Sequence, residues 1–247
     1  MESSRILVFG ATGAIGTALS RLLVAGGAQV LLAGRNRDRL EALAEELGMP
    51  HGVVEAGDAS TIEQCFVQIG ERWGGVDGVA NCMGSVLLKP AHTTSDTEWQ
   101  QVLTTNLFSA FAIVRAAART MRQTGGSVAF VSTAAARIGL ANHEAIAAAK
   151  AGIEGLVRSA AATYASSSIR FNAVAPGLVK SEMTRRLWES PPSAEASTQM
   201  HALGRLGEPE DVARALFFLL DPHNNWITGQ ILGVDGGLGT ILPRRRA

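Results

Sequence analysis

The residues best suited to chemistry in this chain are a glycine-rich turn, one arginine at a predicted strand tip, and a lysine alone in an alanine-rich segment. The turn, Gly10-Ala11-Thr12-Gly13-Ala14-Ile15-Gly16, follows the apolar run Arg5 to Phe9 and leads into a helical pattern. Glycines at such a strand-to-helix turn let the backbone approach a pyrophosphate, and the helix N-terminus adds N–H donors and a positive dipole end. Gly10, Thr12, Gly13, Ile15 and Gly16 are therefore expected to hold the phosphates of a dinucleotide. A second predicted strand ends at Ala33-Gly34-Arg35, where such a fold meets the adenosine ribose. An acid there would bind both ribose hydroxyls and select NAD(H). Gly34 instead leaves room and Arg35 supplies charge for a 2′-phosphate, which points to NADP(H). Asp58, after the third strand, and Asn81 with Gly84, after the fourth, are expected to line the same crevice. Ser60 is read as structural, through a capping box with Glu63.

Lys150 shares a helix face with His143, Ile146, Ala147, Ile153 and Val157, because these positions lie three, four or seven apart. A lysine on an apolar stripe is unusual. His143 is a candidate proton donor, with water as the other, since an imidazole titrates near neutrality; its bland alternative is a surface histidine beside a capping Asn142. Thr133 carries a hydroxyl able to orient a carbonyl or merely to cap the loop after strand five. Ser132 beside it competes, because adjacent strand residues face opposite sides.

These side chains need a scaffold, and the hydrophobic pattern specifies one. Strands are predicted at Arg5 to Phe9, Gln29 to Ala33, Gly52 to Glu55, Gly78 to Asn81, Ser127 to Val131, Arg170 to Val174 and Gln230 to Val234. Helical periodicity lies between them, at Ile15 to Ala25, Arg39 to Leu47, Ile62 to Trp73, Trp99 to Met121, Glu144 to Tyr164 and Pro209 to Leu220. Alternation of strand and helix implies a parallel sheet covered on both faces. The fold class is α/β, a doubly wound Rossmann-type domain spanning residues 1–247. The stretch Lys180 to Gly207, with Pro191-Pro192, is expected to be an irregular, lid-like excursion.

Composition narrows the function. The chain has 22 basic and 22 acidic side chains and no formal net charge, so nothing draws it to nucleic acid or an anionic membrane. No apolar run reaches the roughly 18 residues of a membrane span. The start Met1-Glu2-Ser3-Ser4-Arg5 has no secretory pattern, and a cytoplasmic location is expected. Cys65 and Cys82 are read as reduced core thiols, and the five histidines show no metal-ligand spacing, so no metal is expected.

Taken in order, these motifs resemble the short-chain dehydrogenase/reductase family over nearly the whole chain. The likeness rests on the Gly10 to Gly16 turn, Asp58, Asn81-Cys82-Met83-Gly84, Asn106, Thr133 where serine is usual, Lys150, Pro176-Gly177-Leu178-Val179 and Asp235-Gly236-Gly237. It implies seven parallel strands, a nicotinamide cofactor across their C-terminal ends, and a homotetramer or dimer built on the long helices. It also implies a water-relay role for Asn106, a ribose-binding role for Lys150, and cofactor contacts from Pro176, Gly177, Val179 and Ser181. Two departures stand out. The middle glycine of the turn is displaced to Gly13, and the family's Tyr-x-x-x-Lys reads Ile146-Ala147-Ala148-Ala149-Lys150. The implied activity is hydride transfer between NADP(H) and a small apolar carbonyl, imine or enone substrate without a catalytic tyrosine. The alternative is a cofactor-binding sensor, scaffold or partner subunit that has lost catalysis.

Overall fold

The computed structural model describes residues 1–242. Seven strands, β1 (Arg5–Phe9), β2 (Gln29–Gly34), β3 (His51–Val53), β4 (Gly78–Asn81), β5 (Gly126–Val131), β6 (Ile169–Pro176) and β7 (Ile231–Val234), form one parallel sheet in the order β3-β2-β1-β4-β5-β6-β7. The order reverses direction between β1 and β4, so the loops leaving these two strands diverge and open a crevice at their C-terminal ends. Register keeps those ends level, with Phe9 opposite both Ala33 and Asn81.

Helices α1 (Ala14–Ala25), α2 (Arg37–Leu47) and α9 (Pro209–Leu220) cover one face of the sheet; α3 (Ala59–Trp73), α5 (Ser109–Thr120) and α6 (Glu144–Tyr164) cover the other. Alternate residues of one strand feed opposite cores. Leu7 and Phe9 pack with Ile62, Ile113 and Phe171, whereas Ile6 and Val8 pack with Leu19, Leu23, Val212 and Leu216. Burial on both faces is why these strands read as continuous apolar runs. At the opposite end of the sheet, Arg5 Nε and one terminal amino group donate to the two Asp77 carboxylate oxygens at 2.8 and 2.6 Å, tying β1 to the entry of β4.

Four expectations are corrected. The helix predicted from Trp99 to Met121 is divided into α4 (Asp96–Leu103), a π turn (Thr104–Phe108) and α5. Asn106 Nδ2 donates to the Val102 carbonyl at 2.9 Å and Ser109 Oγ to that of Thr105 at 2.7 Å, so side chains occupy carbonyls of the ladder. The third strand is shorter and begins earlier than Gly52 to Glu55. Asp58, not Ser60, caps α3, accepting from the Ser60 amide at 2.8 Å, while Glu63 pairs with Arg115 and Arg119. The excursion after β6 holds two helices, α7 (Arg185–Trp188) and α8 (Pro191–Met200); the double proline starts α8, where missing N–H groups cost nothing.

Candidate active site

The glycine turn is shaped by steric need. Gly10 has φ +72°, and a Cβ on it would lie 2.7 Å from the backbone of Cys82 and Met83, so only glycine lets β1 exit against the loop after β4. A Cβ on Gly16 would collide with the Gly10 carbonyl. Gly13 caps α1 without a side-chain bond, and no acidic residue stands in the first turn. The N–H groups of Ala14, Ile15 and Gly16 therefore have no partner among the described residues, at the positive end of the helix dipole. Unpartnered N–H groups at a helix N-terminus are suited to an anion.

At the tip of β2, Gly34 sits against Thr12, and Arg35 is exposed with no ion pair among the described residues. Space at Gly34 is tighter than its sequence suggests, since a Cβ there would lie 2.8 Å from Cδ1 of the buried Leu40. Asn36 caps α2 by accepting from the Arg39 amide at 2.9 Å, as its position predicts. Asp58 lies on the surface; its bonds to Ser60 hold its carboxyl below the usual range.

The third cluster contains the lysine. Lys150 is 7% exposed, and its Nζ donates to the Val131 carbonyl at 2.7 Å. Burial pulls the amine down to about 8 from the ordinary 10.5, opposed by the nearby Cys82, whose own thiol burial pushes up to about 12. Asn106 is fully buried. Its Oδ1 accepts from the Ser85 amide at 3.3 Å and its Nδ2 donates to Ser85 Oγ at 3.1 Å. Between the two lies Gly84, on which a Cβ would sit 3.0 Å from Asn106 Oδ1 and 3.4 Å from Lys150 Nζ. Asn81, at the end of β4, accepts from the Met83 amide at 3.0 Å and fixes the loop that carries Gly84. Gly10, Asn81, Gly84, Asn106 and Lys150 thus form one contiguous group across β1, β4, the π turn and α6.

The remaining candidates lie on α6, at its N-cap, or just after β5. Thr133 Oγ1 accepts from the Ala135 amide at 3.3 Å, a capping contact, and the residue is half-buried. Ser132 faces α6, where its Oγ donates to Glu154 Oε1 at 3.0 Å and lies 3.4 Å from the Lys150 carbonyl. His143, not Asn142, occupies the N-cap of α6; Asn142 has φ +64°. The His143 ring hydrogen-bonds the Ala141 carbonyl through Nδ1 at 2.7 Å. Seven residues separate it from Lys150, about 10 Å along a helix axis. Ile146 is buried in an apolar cluster with Val102, Ala145, Ala149, Leu87 and Leu103. The chain's one tyrosine, Tyr164, packs on Phe171 at the far end of α6.

Pro176 ends β6, and Gly177, Val179 and Ser181 follow in the segment leading to α7. His201, with no sequence signal to mark it, secures this segment. Its Nε2 accepts from the Leu178 amide at 3.1 Å and its Nδ1 bonds the Ser197 carbonyl at 2.6 Å, joining the loop to α8. Ser85 and the Val131 carbonyl were equally unmarked. Cys65 is buried, Cys82 half-buried, and both are free thiols. Among the described residues no His, Cys, Asp and Glu cluster is arranged to hold a metal, and no helix is long and apolar enough to cross a membrane.

Comparison with known proteins agrees with this geometry. A family model described as enoyl-(acyl carrier protein) reductase matches residues 10–239. Carbonyl reductase family member 4 of Danio rerio is 35% identical over 243 residues, covering 96% of this chain and 98% of its own. A 3-oxoacyl-(acyl-carrier-protein) reductase of Thermotoga maritima is 30% identical over 244 residues, with 96% and 98% covered. A short-chain type dehydrogenase/reductase from Mycobacterium ulcerans superposes with a TM-score of 0.93 at 27% identity, over 97% of this chain and 91% of that one. The α/β sheet, the glycine turn at its switch point and these relatives together show that the chain belongs to the short-chain dehydrogenase/reductase family, a family of oxidoreductases.

Proposed function

We propose that this protein is an NADP(H)-dependent oxidoreductase acting on a small apolar carbonyl, imine or enone compound, with no tyrosine taking part in proton transfer. The observation that carries the reading is Lys150, an unpaired amine buried at the end of β5 beside Gly84 and Asn106. Stability alone gives no reason to keep it there. The residues present fit a dinucleotide. The open N-terminus of α1, with Gly10, Thr12, Gly13, Ile15 and Gly16, would take the pyrophosphate; Arg35 would take a 2′-phosphate, and Asp58 would lie at the adenine edge. Asn81, Gly84, Lys150, Pro176, Gly177, Val179 and Ser181 would bound the nicotinamide half. NADPH supplies a hydride when bound. Thr133 would orient a substrate oxygen with its hydroxyl hydrogen, while Leu87 and Leu103 near Ile146 offer apolar contact.

Likeness to a carbonyl reductase and a 3-oxoacyl-(acyl-carrier-protein) reductase supports a carbonyl substrate. The free thiols of Cys65 and Cys82 suit a reducing compartment such as the cytoplasm. Half-exposed Phe108 and Phe111, beside Leu103, Leu107 and Leu156, form an apolar face suited to pairing copies into a dimer or tetramer. Ile146, packed into an apolar cluster where the family's acid would stand, favours a second reading, a binding protein without catalysis. Calorimetric titration tests the cofactor assignment. NADPH is expected to bind at least tenfold more tightly than NADH, and Arg35→Ala to remove most of that preference; equal binding by the unaltered protein would refute it.

A further inference from the structure

Lys150 is a buried cation whose surroundings leave its proton free to move. Among the described residues no carboxylate lies within ion-pair distance of Nζ, and two of its three N–H groups have no acceptor. The nearest acid in sequence on α6, Glu154, is engaged by Ser132, Arg137 and Arg158. The groups facing the ammonium from each packed element are few. The loop after β4 presents Gly84 and the Cys82 thiol, the π turn presents Asn106, and the end of β5 presents the Val131 carbonyl. His143, ahead of α6, is turned to Ala141, and Ile146 one turn away has no proton to give.

We propose that Lys150 is itself the general acid of this site: its ammonium gives the proton required at the substrate oxygen in reduction, and its neutral amine takes that proton back in oxidation. The inference rests on the oxidoreductase reading above. Reduction of a carbonyl adds a hydride at carbon, from reduced nicotinamide, and a proton at oxygen. The Lys150 N–H bond breaks as the O–H bond forms, the electron pair stays on nitrogen, and solvent reprotonates the amine before the next turnover. Burial draws the amine to about 8, where release near neutrality is feasible, while Cys82, at about 12, stays protonated and supplies no fixed counter-charge.

The test compares wild type with Lys150→Arg, which keeps the charge and surrenders no proton, with Lys150→Ala, and with His143→Ala. NMR titration of Nζ-labelled lysine should show one resonance, absent from Lys150→Arg, titrating near pH 8. With NADPH binding measured separately by fluorescence, wild-type kcat for reduction should fall above about pH 8, and Lys150→Arg should lose at least about 100-fold in kcat. His143→Ala should keep the alkaline limb. Methylammonium should restore turnover to Lys150→Ala, with the limb moved to the added amine's own pKa. The proposal is overturned if Lys150→Arg turns over with an unchanged limb, if His143→Ala abolishes the limb, or if Lys150→Ala binds NADPH and gains nothing from added amine. If wild type binds NADPH and reduces no compound, the oxidoreductase reading itself fails, an outcome distinct from the others.

Discussion

Replacing Lys150 with methionine should stabilise the protein at neutral pH. A drop in proton affinity from the ordinary 10.5 to about 8 makes the folded state a poor host for the charged amine. At about 1.4 kcal/mol per tenfold change, holding the ammonium costs about 3 kcal/mol. Methionine has a similar length, no charge and a flexible shape that fills the same space. It forfeits the hydrogen bond to Val131, worth about 1 kcal/mol, so the net gain is about 2 kcal/mol. The pH dependence has a definite sign. Because the folded-state pKa is depressed, the unfolded chain holds the proton between pH 8 and 10.5 while the native state does not, and wild-type stability rises across that window. The penalty is full below about pH 8 and gone above 10.5. Urea denaturation of both proteins at equal concentration, at pH 7 and pH 10, reads it directly. Lys150→Met should be the more stable at pH 7, and the gap should vanish or reverse at pH 10. A variant less stable than wild type at pH 7, or a gap independent of pH, would refute the claim that this cation is held at a cost.

Two further substitutions probe the scaffold. Gly10→Ala must adopt φ +72° and press its Cβ on the backbone at Cys82 and Met83, so it should lose about 2 to 4 kcal/mol in denaturation and at least tenfold in NADPH affinity. Asp77→Asn should cost about 1 kcal/mol at pH 7, a figure reduced by screening at a side chain that is 40% exposed. Arg5 holds the Asp77 carboxyl below its ordinary 3.8, so that stability is present above pH 4 and is lost as pH falls through the folded-state value; melting curves of the two proteins should converge in acid.

Much of this architecture was legible because it is local. The glycine turn, the apolar strands and the Asn36 cap depend on residues within a few positions of one another. The lysine stood out because its helical neighbours at three, four and seven positions are apolar, and the structure buries it accordingly. What escaped depends on side-chain direction or distant contacts. The π turn arises because Asn106 and Ser109 bond carbonyls that a regular helix would use, which periodicity does not register. The direction of Ser132 is fixed only where it meets Glu154 on α6, 22 positions away. His201 reaches Leu178 across 23 positions, and nothing near either residue signals the meeting. Pro191-Pro192 reads as irregular chain until one sees that it begins a helix.

The central claim, that this is a working oxidoreductase and not a silent binding protein, is tested most directly by stopped-flow absorbance of bound NADPH mixed with a panel of ketones, imines and enones. At least one class should give single-turnover loss of the reduced-nicotinamide signal, at a rate that falls above about pH 8. A signal that stays constant with every compound, while NADPH remains bound, would contradict it.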